Sequence, residues 1–341
     1  MSTTADTYRA VQATAPGTLA IATLPTPDPG PGQVRIRVEA CGICHSDAAT
    51  VEAMFPIEFP RVPGHEAVGR IDAVGAGVAP WTVGRRVGVG FLGGHCGICT
   101  NCRRGDFVNC TAQPVVGVSQ DGGYAEVLIA DQSGLVAIPD ELSSVEAAPL
   151  LCAGLTTFKA LRDSGARAGD LVAVLGIGGL GHLAVQYARH MGFRVAAIAR
   201  GAEKSALALK LGAHIYLDST VQDAAAELTA LGGARVIVAT AASAPAMSAL
   251  IGGLAPGGRM VTVGADAEPI AVQPNALIFG ERSISGSLTG SAADNEDTLA
   301  FSVLQDIRAQ IEIVGLGDAP AAYARMMAGQ ARFRIVLDMA A

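Results

Sequence analysis

The sequence has no surplus of positive charge and no long apolar run. Its 24 lysines and arginines are outnumbered by 31 aspartates and glutamates, which leaves a formal net charge of -7. Nucleic acids and anionic membranes bind proteins with a basic excess, so this balance argues against both and favours a small-molecule substrate. No apolar stretch approaches the roughly 20 residues that span a bilayer. The first residues, MSTTADTYRA, contain no cationic region followed by an apolar core, so we expect a cytoplasmic protein.

The chain also lacks the even set of cysteines that a disulfide framework needs. It has 7 cysteines, and four of them lie between positions 96 and 110. Such crowding fits metal ligation in a reducing compartment better than disulfide bonding.

The order of elements predicts two domains of different character, and 341 residues suffice for two cores. The segment LPTPDPGPG, residues 24–32, is typical of an exposed connector, and the body of the first domain is expected to begin just after it. From there to about residue 138, short strand-type runs alternate with glycine-rich turns. After residue 151, apolar strands alternate with helices, which indicates a doubly wound parallel sheet. The last fifty or so residues return to a mixed pattern and are expected to pack on the first domain.

A glycine-rich turn follows the first strand of that parallel series. The motif GIGGLG, residues 176–181, comes directly after the strand LVAVL and opens a helix with apolar positions at helical spacing. Glycines there allow a tight turn and a close backbone approach to a pyrophosphate at the helix N-terminus. The alternative is a plain packing turn, which the strand-turn-helix context disfavours.

The end of the second strand lacks the acid that usually binds the adenosine ribose of NAD. Ala199 occupies that position and Arg200 follows it, with Lys204 close by in sequence. Cations accommodate a 2′-phosphate, so we expect NADP(H) in preference to NAD(H). The alternative is that Arg200 is a solvated turn residue and Glu203 binds the ribose.

Cysteines occur in two constellations. The first, Cys96, Cys99, Cys102 and Cys110, has the spacing of a closed structural zinc site, with Arg103 and Arg104 to offset its charge. An iron-sulfur cluster and a nucleic-acid-binding zinc module are the alternatives, and the acidic chain disfavours the second.

The other constellation is dispersed over CGICHSD (41–47), GHE (64–66) and Cys152. Two cysteines and a histidine with an open fourth position make a catalytic zinc site, although each residue taken singly could be structural.

Several motifs together resemble one family over nearly the whole chain: the zinc-containing medium-chain alcohol dehydrogenases of the bacterial and yeast type. The matching stretches are CGICHSD, PGHEAVG, the four-cysteine lobe, DGGYAEV, EAAPLLCAGLTTFKAL, GIGGLGHLAVQYA and GQARFRIVL. The resemblance implies an α/β protein with a Rossmann coenzyme domain (152–289) inserted in a strand-rich, partly open, barrel-like (GroES-like) catalytic domain (1–151 and 290–341), with a zinc lobe at about 93–111. It implies an active site in the cleft between the domains and a homo-oligomer, for which we favour a tetramer over a dimer.

The resemblance also implies roles for individual residues. Cys44, His65 and Cys152 would ligate the catalytic zinc, the other four cysteines the structural one, and Cys41 neither. Asp47 would orient the ligand histidine, Glu66 would lie close behind the metal, and Ser46 would bind the substrate oxygen and pass on its proton. The expected cofactor-binding positions are His45, Thr156, Gly176, Gly178, Gly179, Leu180, Gly181, Ala199, Arg200, Lys204, Val263, Ser287, Leu288 and Arg334.

Three departures from the family pattern carry weight. Ala49 stands where many relatives have a histidine that completes a proton path to solvent. The segment from Thr50 to Phe55 differs from relatives, and Phe55 and Phe91 fall at pocket positions, where core packing is the alternative. The third departure is Ala199.

The expected activity is a reversible hydride transfer between an alcohol and NADP+, with two zinc ions per chain. An NADP preference would favour carbonyl reduction in the cell. The alternatives are an NAD-preferring dehydrogenase of the same family, a reductase acting chiefly on aldehydes or unsaturated carbonyls, and a non-catalytic NADPH-binding or zinc-storage protein.

Overall fold

The structure, a computed structural model, describes residues 7–341. This part of the chain forms two compact units. One takes the chain up to Leu155 and from Thr289 to the end, and the other runs from Thr156 to Leu288. The first boundary was expected after residue 151, but it falls after Leu155, so Cys152 belongs to the first unit.

The first unit is built mainly from strands. They are β1 (Thr7–Ala15), β2 (Thr18–Pro25), β3 (Gln33–Ile43), β4 (Ala67–Val74), β5 (Arg86–Val89), β6 (Val127–Asp131), β7 (Leu135–Ala137), β14 (Ile311–Gly315) and β15 (Arg334–Asp338). Its helices are α1 (Ala48–Val51), α2 (Thr100–Arg103), α3 (Ser144–Ala147), α10 (Ala292–Leu304) and α11 (Ala319–Met327), and α4 (Ala153–Arg162) continues into the second unit. Short 3-10 turns cover His45–Asp47, Gln132–Gly134, Ala148–Leu151 and Leu316–Asp318.

The long strand β3 organises the main sheet of this unit, whose order is β14-β15-β3-β4-β5-β7. Along one edge β3 pairs with β4. Along the other edge its first half, residues 33–37, pairs with β6, and its second half, residues 40–43, pairs with β15. Because β15 runs antiparallel to β3 with Ile335 opposite Ile43, the residues that follow β3 lie where β15 begins.

A hairpin of β1 and β2 precedes the connector, which corrects the expectation that the domain body begins only after residue 32. Tyr8, Ala10 and Val11 of β1 are buried in the core of the first unit. Backbone bridges also join Ala10 to Ala125 and Ala13 to Arg61. The segment TYRAVQATA is rich in alanine, a poor strand former, so its strand signal is weak.

The second unit is the expected doubly wound parallel sheet. Its strands are β8 (Leu171–Leu175), β9 (Arg194–Ala199), β10 (Ile215–Asp218), β11 (Ala234–Ala239), β12 (Leu254–Thr262) and β13 (Ser283–Gly286), in the order β10-β9-β8-β11-β12-β13. Its helices are α5 (Gly181–His190), α6 (Ser205–Lys210), α7 (Ala224–Ala230), α8 (Ala244–Leu250) and α9 (Pro274–Ile278), with a 3-10 turn at Ile251–Gly253. All five residues of β8 are buried, as expected for a parallel strand covered on both faces.

The strand order reverses between β8 and β11, and ligands of such sheets bind outside the carboxyl ends of the strands at that point. The glycine turn lies there, directly after β8. None of the helices in residues 7–341 combines the length and the apolar character needed to cross a membrane.

Candidate active site

Four side chains from distant parts of the sequence meet in the first unit. Cys44, His65, Glu66 and Cys152 are buried, and each offers a ligand atom within 4.8 Å of the others. Cys44 follows the end of β3, and His65 and Glu66 precede β4, which runs antiparallel beside β3. The end of one strand and the start of the next therefore place these residues side by side.

The donor set fits a tetrahedral zinc ion. The sulfurs of Cys44 and Cys152 lie 3.9 Å apart, close to the roughly 3.8 Å that a tetrahedron with zinc–sulfur bonds of about 2.3 Å requires. The Nε2 atom of His65 is buried and has no hydrogen-bond partner among residues 7–341. A buried ring nitrogen normally finds a partner, so this atom is available as a metal ligand.

Asp47 contacts two of these four residues. Its Oδ1 atom lies 2.9 Å from Nδ1 of His65, and its Oδ2 atom accepts a hydrogen bond from the backbone amide of Cys44 at 2.8 Å. A carboxylate at Nδ1 keeps the proton on that nitrogen and leaves the Nε2 lone pair for a metal.

Glu66 forms a buried ion pair with Arg334, the first residue of β15. The other carboxylate oxygen of Glu66, Oε2, has no partner in the described part of the chain. It lies where a side chain on Gly42 would be, so only glycine fits at that position. Arg334 is 4% exposed, and its role in binding pyrophosphate stays a prediction.

Burial and mutual contacts shift the pKa values of all four groups in this cluster. A hydrogen bond from the Cys152 thiol lowers the pKa of Cys44 well below its usual value, and the same contact raises the pKa of Cys152. Burial by itself would lower the pKa of His65, but Asp47 outweighs it and raises that pKa. Burial raises the pKa of Glu66 to about 7 against the opposing charge of Arg334. The site therefore combines a stabilised Cys44 thiolate with a Glu66 carboxyl group whose pKa lies near neutral pH.

The remaining positions that the resemblance assigned to catalysis, to the cofactor or to the substrate pocket differ in exposure. His45 and Ser46, in the 3-10 turn after Cys44, are exposed. The ring of Phe91 meets the imidazole of His65 edge-on, with centroids 5.1 Å apart, which places it beside the four-residue cluster. Phe55 is 59% exposed, and Ala49 on α1 is buried.

The four-cysteine lobe is also assembled. The sulfurs of Cys96, Cys99, Cys102 and Cys110 lie within 4.8 Å of one another. Cys96 is 4.0 Å from Cys102 and 3.6 Å from Cys110, distances that a tetrahedral ion bridges. Hydrogen bonds from backbone amides, of which the one from Cys102 has the largest effect, lower the pKa of Cys99 to about 5. This set fits a closed zinc site.

The glycine turn in the second unit has the geometry of a dinucleotide cradle. Gly176 has a φ of +92°, a conformation that favours glycine. A Cβ atom on Gly181 would overlap the Gly176 carbonyl oxygen, so this glycine lets the helix start close to the strand. A Cβ on Gly178 would meet none of the described atoms within 4 Å and would project into open space. That space is where a pyrophosphate could approach the backbone.

The other expected cofactor positions of this unit follow the ends of neighbouring strands. Ala199 ends β9 and is buried, Arg200 is exposed, and Lys204 is partly buried. Val263 follows β12, and Ser287 and Leu288 follow β13. Gly179 and Leu180 complete the glycine turn, and the Thr156 side chain is buried on α4.

Both parts of the chain match families of known proteins. Residues 30–140 match the alcohol dehydrogenase GroES-like domain, and residues 179–303 match the zinc-binding dehydrogenase family. The chain belongs to the zinc-dependent medium-chain alcohol dehydrogenases.

Relatives of this alcohol dehydrogenase span most of its length. It is 43% identical to alcohol dehydrogenase patD of Penicillium expansum over 303 residues, which cover 89% of each chain. It is 35% identical to the NADP-dependent alcohol dehydrogenase C 1 of Mycolicibacterium smegmatis, over 99% of this chain and 98% of that one. The solved structure of a cinnamyl alcohol dehydrogenase from Sorghum bicolor is similar with a TM-score of 0.87 and 32% identity, over 98% of both chains.

Sequence reasoning missed two buried polar residues of this alcohol dehydrogenase. The Tyr124 hydroxyl donates a hydrogen bond to Asp47 at 2.7 Å. The Asn295 side-chain amide donates one at 3.2 Å to the carbonyl of Leu151, which precedes Cys152. Tyr124 lies in the matched motif DGGYAEV and could have been singled out there. Asn295 lies in a helix whose pattern gives no sign of the contact.

Proposed function

We propose that the chain is a zinc-dependent alcohol dehydrogenase and carbonyl reductase that transfers hydride reversibly between an alcohol and NADP+. The observation that carries the proposal is the buried set of Cys44, His65 and Cys152, in which Nε2 of His65 has no described partner. These three residues would hold the catalytic zinc, and the four-cysteine lobe would hold a structural one.

Zinc at the first site would act as a Lewis acid on the substrate oxygen. The residues around it set the conditions for that chemistry. Asp47 fixes the His65 tautomer through the 2.9 Å contact, and Phe91 covers one side of the imidazole. The Glu66–Arg334 pair places a compensated charge beside the ligands.

Ser46 is the proposed proton carrier. Its hydroxyl is exposed and lies two residues after Cys44, so it can accept the alcohol proton and pass it outward. Ala49 offers no group to receive that proton, so we infer that the path ends in solvent water.

The preference for NADP rests on the end of β9. A carboxylate is missing at Ala199, where it would bind a ribose hydroxyl and repel a 2′-phosphate, and Arg200 is an exposed cation next to it. An NAD-preferring enzyme is the second candidate, because the Glu203 side chain folds back towards the end of β9. Its carboxylate lies so close to Gly201 that a Cβ atom on Gly201 would collide with it. From that position Glu203 could bind the ribose instead.

Catalytic efficiency, kcat/KM, with each dinucleotide tests the preference. We expect a higher value with NADP and a selective loss of NADP efficiency in Arg200→Ser. Arg194→Ser, at the opposite end of the same strand, is the matched control and should leave the ratio unchanged. A wild-type preference for NAD, or an unchanged ratio in Arg200→Ser, would overturn the NADP proposal and favour the second candidate.

Metal analysis tests the zinc sites. We expect about two zinc ions per chain, as paired open and closed sites require. Cys44→Ser should lose activity and retain its fold, and Cys41→Ser, a buried cysteine outside both clusters, should keep both ions. One zinc per chain with full activity would contradict the proposal.

Substrate class and direction need a separate measurement. A panel of primary, secondary and aromatic alcohols with their carbonyls should show activity in both directions, with carbonyl reduction by NADPH favoured. The tetramer and the cytoplasmic location stay predictions from the sequence.

A further inference from the structure

The motif DGGYAEV (121–127) is one of the stretches that resemble the family, but the sequence assigned no role to its residues. The structure shows what the first four of them bind. Asp121 accepts a hydrogen bond from the amide of Val62 at 3.0 Å. The amides of Gly122, Gly123 and Tyr124 donate in turn to the carbonyls of Val62, Gly64 and Pro63, at 2.8, 2.8 and 3.0 Å. These four bonds fasten the segment 62–64, which leads directly into His65.

The side chain of Tyr124 extends this attachment to the metal ligands. It is completely buried, and its hydroxyl donates to Oδ2 of Asp47 at 2.7 Å. Its ring packs against Gly64, so closely that a Cβ atom there would overlap it. Tyr124 thus contacts both the residue before His65 and the carboxylate that orients the His65 ring.

We propose that Tyr124 is a positioning residue of the catalytic metal site. The inference rests on the proposed function, since it assumes zinc at Cys44, His65 and Cys152. Oδ2 of Asp47 is shared by the Tyr124 hydroxyl and the Cys44 amide, while Oδ1 faces His65. The tyrosine therefore fixes the rotation of the Asp47 carboxylate about its Cβ–Cγ bond. That rotation sets the directions in which Cys44 and His65 present their ligand atoms.

Removal of the hydroxyl alone tests the proposal. Tyr124→Phe keeps the ring and its packing on Gly64, and it deletes one hydrogen bond to Asp47. Tyr8→Phe is the matched control, because Tyr8 is a buried tyrosine in the same core cluster and lies outside the metal site. The readouts are zinc release to a chelator, the visible spectrum of the cobalt(II)-substituted protein, and kcat and KM measured separately.

We expect Tyr124→Phe to lose one of its zinc ions to a chelator about 10-fold more readily than the wild type. This is the lower end of the roughly 10- to 100-fold loss of metal affinity or activity that is typical when a hydrogen-bond partner of a metal ligand is removed. The cobalt spectrum should shift, and kcat should fall more than KM changes. Tyr8→Phe should match the wild type in all three. An unchanged release rate and spectrum in Tyr124→Phe would overturn the inference.

A double-mutant cycle tests whether Tyr124 acts through Asp47. In an Asp47→Ala background, which removes the acceptor, Tyr124→Phe should add much less than it does alone, because the Tyr124 hydroxyl then has no carboxylate to bind. Fully additive effects would overturn the inference. If Tyr124→Phe does not fold, zinc retention in Asp47→Ala decides, and wild-type retention there would count against the proposal. A wild type with zinc only in the four-cysteine lobe would overturn the proposed function as well.

Discussion

At the scale of single residues, the metal site is packed too tightly to accept even a methyl group. A Cβ atom on Gly42 would overlap the Glu66 carboxylate, which pairs with Arg334. Gly42 has an ordinary φ, so backbone strain does not enter and the restriction is purely steric.

Gly42→Ala is therefore expected to displace Glu66 and to lower stability by about 1–3 kcal/mol, the usual cost of overpacking. Activity should fall as well, since Glu66 lies beside the ligands. Thermal unfolding and kcat/KM measure the two effects. Gly317→Ala, where a new Cβ would meet nothing described within 4 Å, is the control; equal unfolding temperatures for the two variants would refute the steric reading.

At the scale of elements, two glycines of the turn between β8 and α5 have different surroundings. Gly181 is required by the close approach of α5 to the turn, whereas Gly178 borders open space. The two glycines therefore serve different purposes in the same motif.

Gly181→Ala should lower the unfolding temperature of the protein without added dinucleotide. Gly178→Ala should leave that temperature unchanged and raise the KM for the dinucleotide, because its methyl group occupies the space we assign to the pyrophosphate. Differential scanning calorimetry and steady-state kinetics distinguish them. Unimpaired dinucleotide binding in Gly178→Ala would place the pyrophosphate elsewhere.

A second element-scale prediction concerns pH. Glu312 on β14 accepts hydrogen bonds from Arg325 on α11 and from the backbone amide of Arg332. The bond from Arg325 lowers the pKa of Glu312 below its ordinary value of 4.5. The folded state therefore holds the proton less tightly than the unfolded state, so this contribution to stability is present above pH 4.5 and is lost as the pH falls through the folded pKa.

Glu312→Gln is accordingly expected to unfold at a lower temperature than the wild type at pH 7, and the difference should shrink at acid pH. The effect should be small, since both partners are partly exposed. Unfolding curves from pH 7 down to about 3 test it, with the exposed Glu141→Gln as control. A difference that grows on acidification would contradict the linkage.

At the scale of the whole molecule, the four-cysteine lobe links metal content to stability. Cys96 and Cys99 are partly exposed, and Cys102 and Cys110 are nearly buried. A lobe of this kind has little apolar core of its own, so we expect the zinc ion proposed for this site to contribute directly to its folding.

Cys99→Ser should carry about one zinc instead of two and should unfold at a lower temperature, by roughly 2–4 °C for each kcal/mol lost. Elemental analysis and calorimetry of the same preparation check both parts, and Cys41→Ser serves as the comparison. Two zinc ions and an unchanged unfolding temperature in Cys99→Ser would argue against a structural ion in the lobe.

Much of the fold could be predicted because its signals are local. The alternation of buried strands and helices after residue 151 indicated the parallel sheet, and the structure confirms it. The hairpin of β1 and β2 was missed because its alanine-rich strand is stabilised by distant partners such as Arg61 and Ala125. The first domain boundary lies after Leu155 rather than after residue 151. It depends on the tertiary contacts of the segment around Cys152, which the local sequence pattern does not show.

The sequence by itself predicted the four-cysteine site and the strand-turn-helix around GIGGLG, since in both cases the residues lie in one short stretch of chain. Even the most widely separated cysteines, Cys96 and Cys110, are only 14 positions apart. No local pattern joins Cys44, His65, Glu66 and Cys152: the family resemblance predicted that they share a site, and the tertiary structure shows that they converge. It alone also showed that Arg334 pairs with Glu66 and that Tyr124 binds Asp47. These contacts span tens to hundreds of positions and depend on how β3 pairs with β4 and β15, which no local pattern encodes.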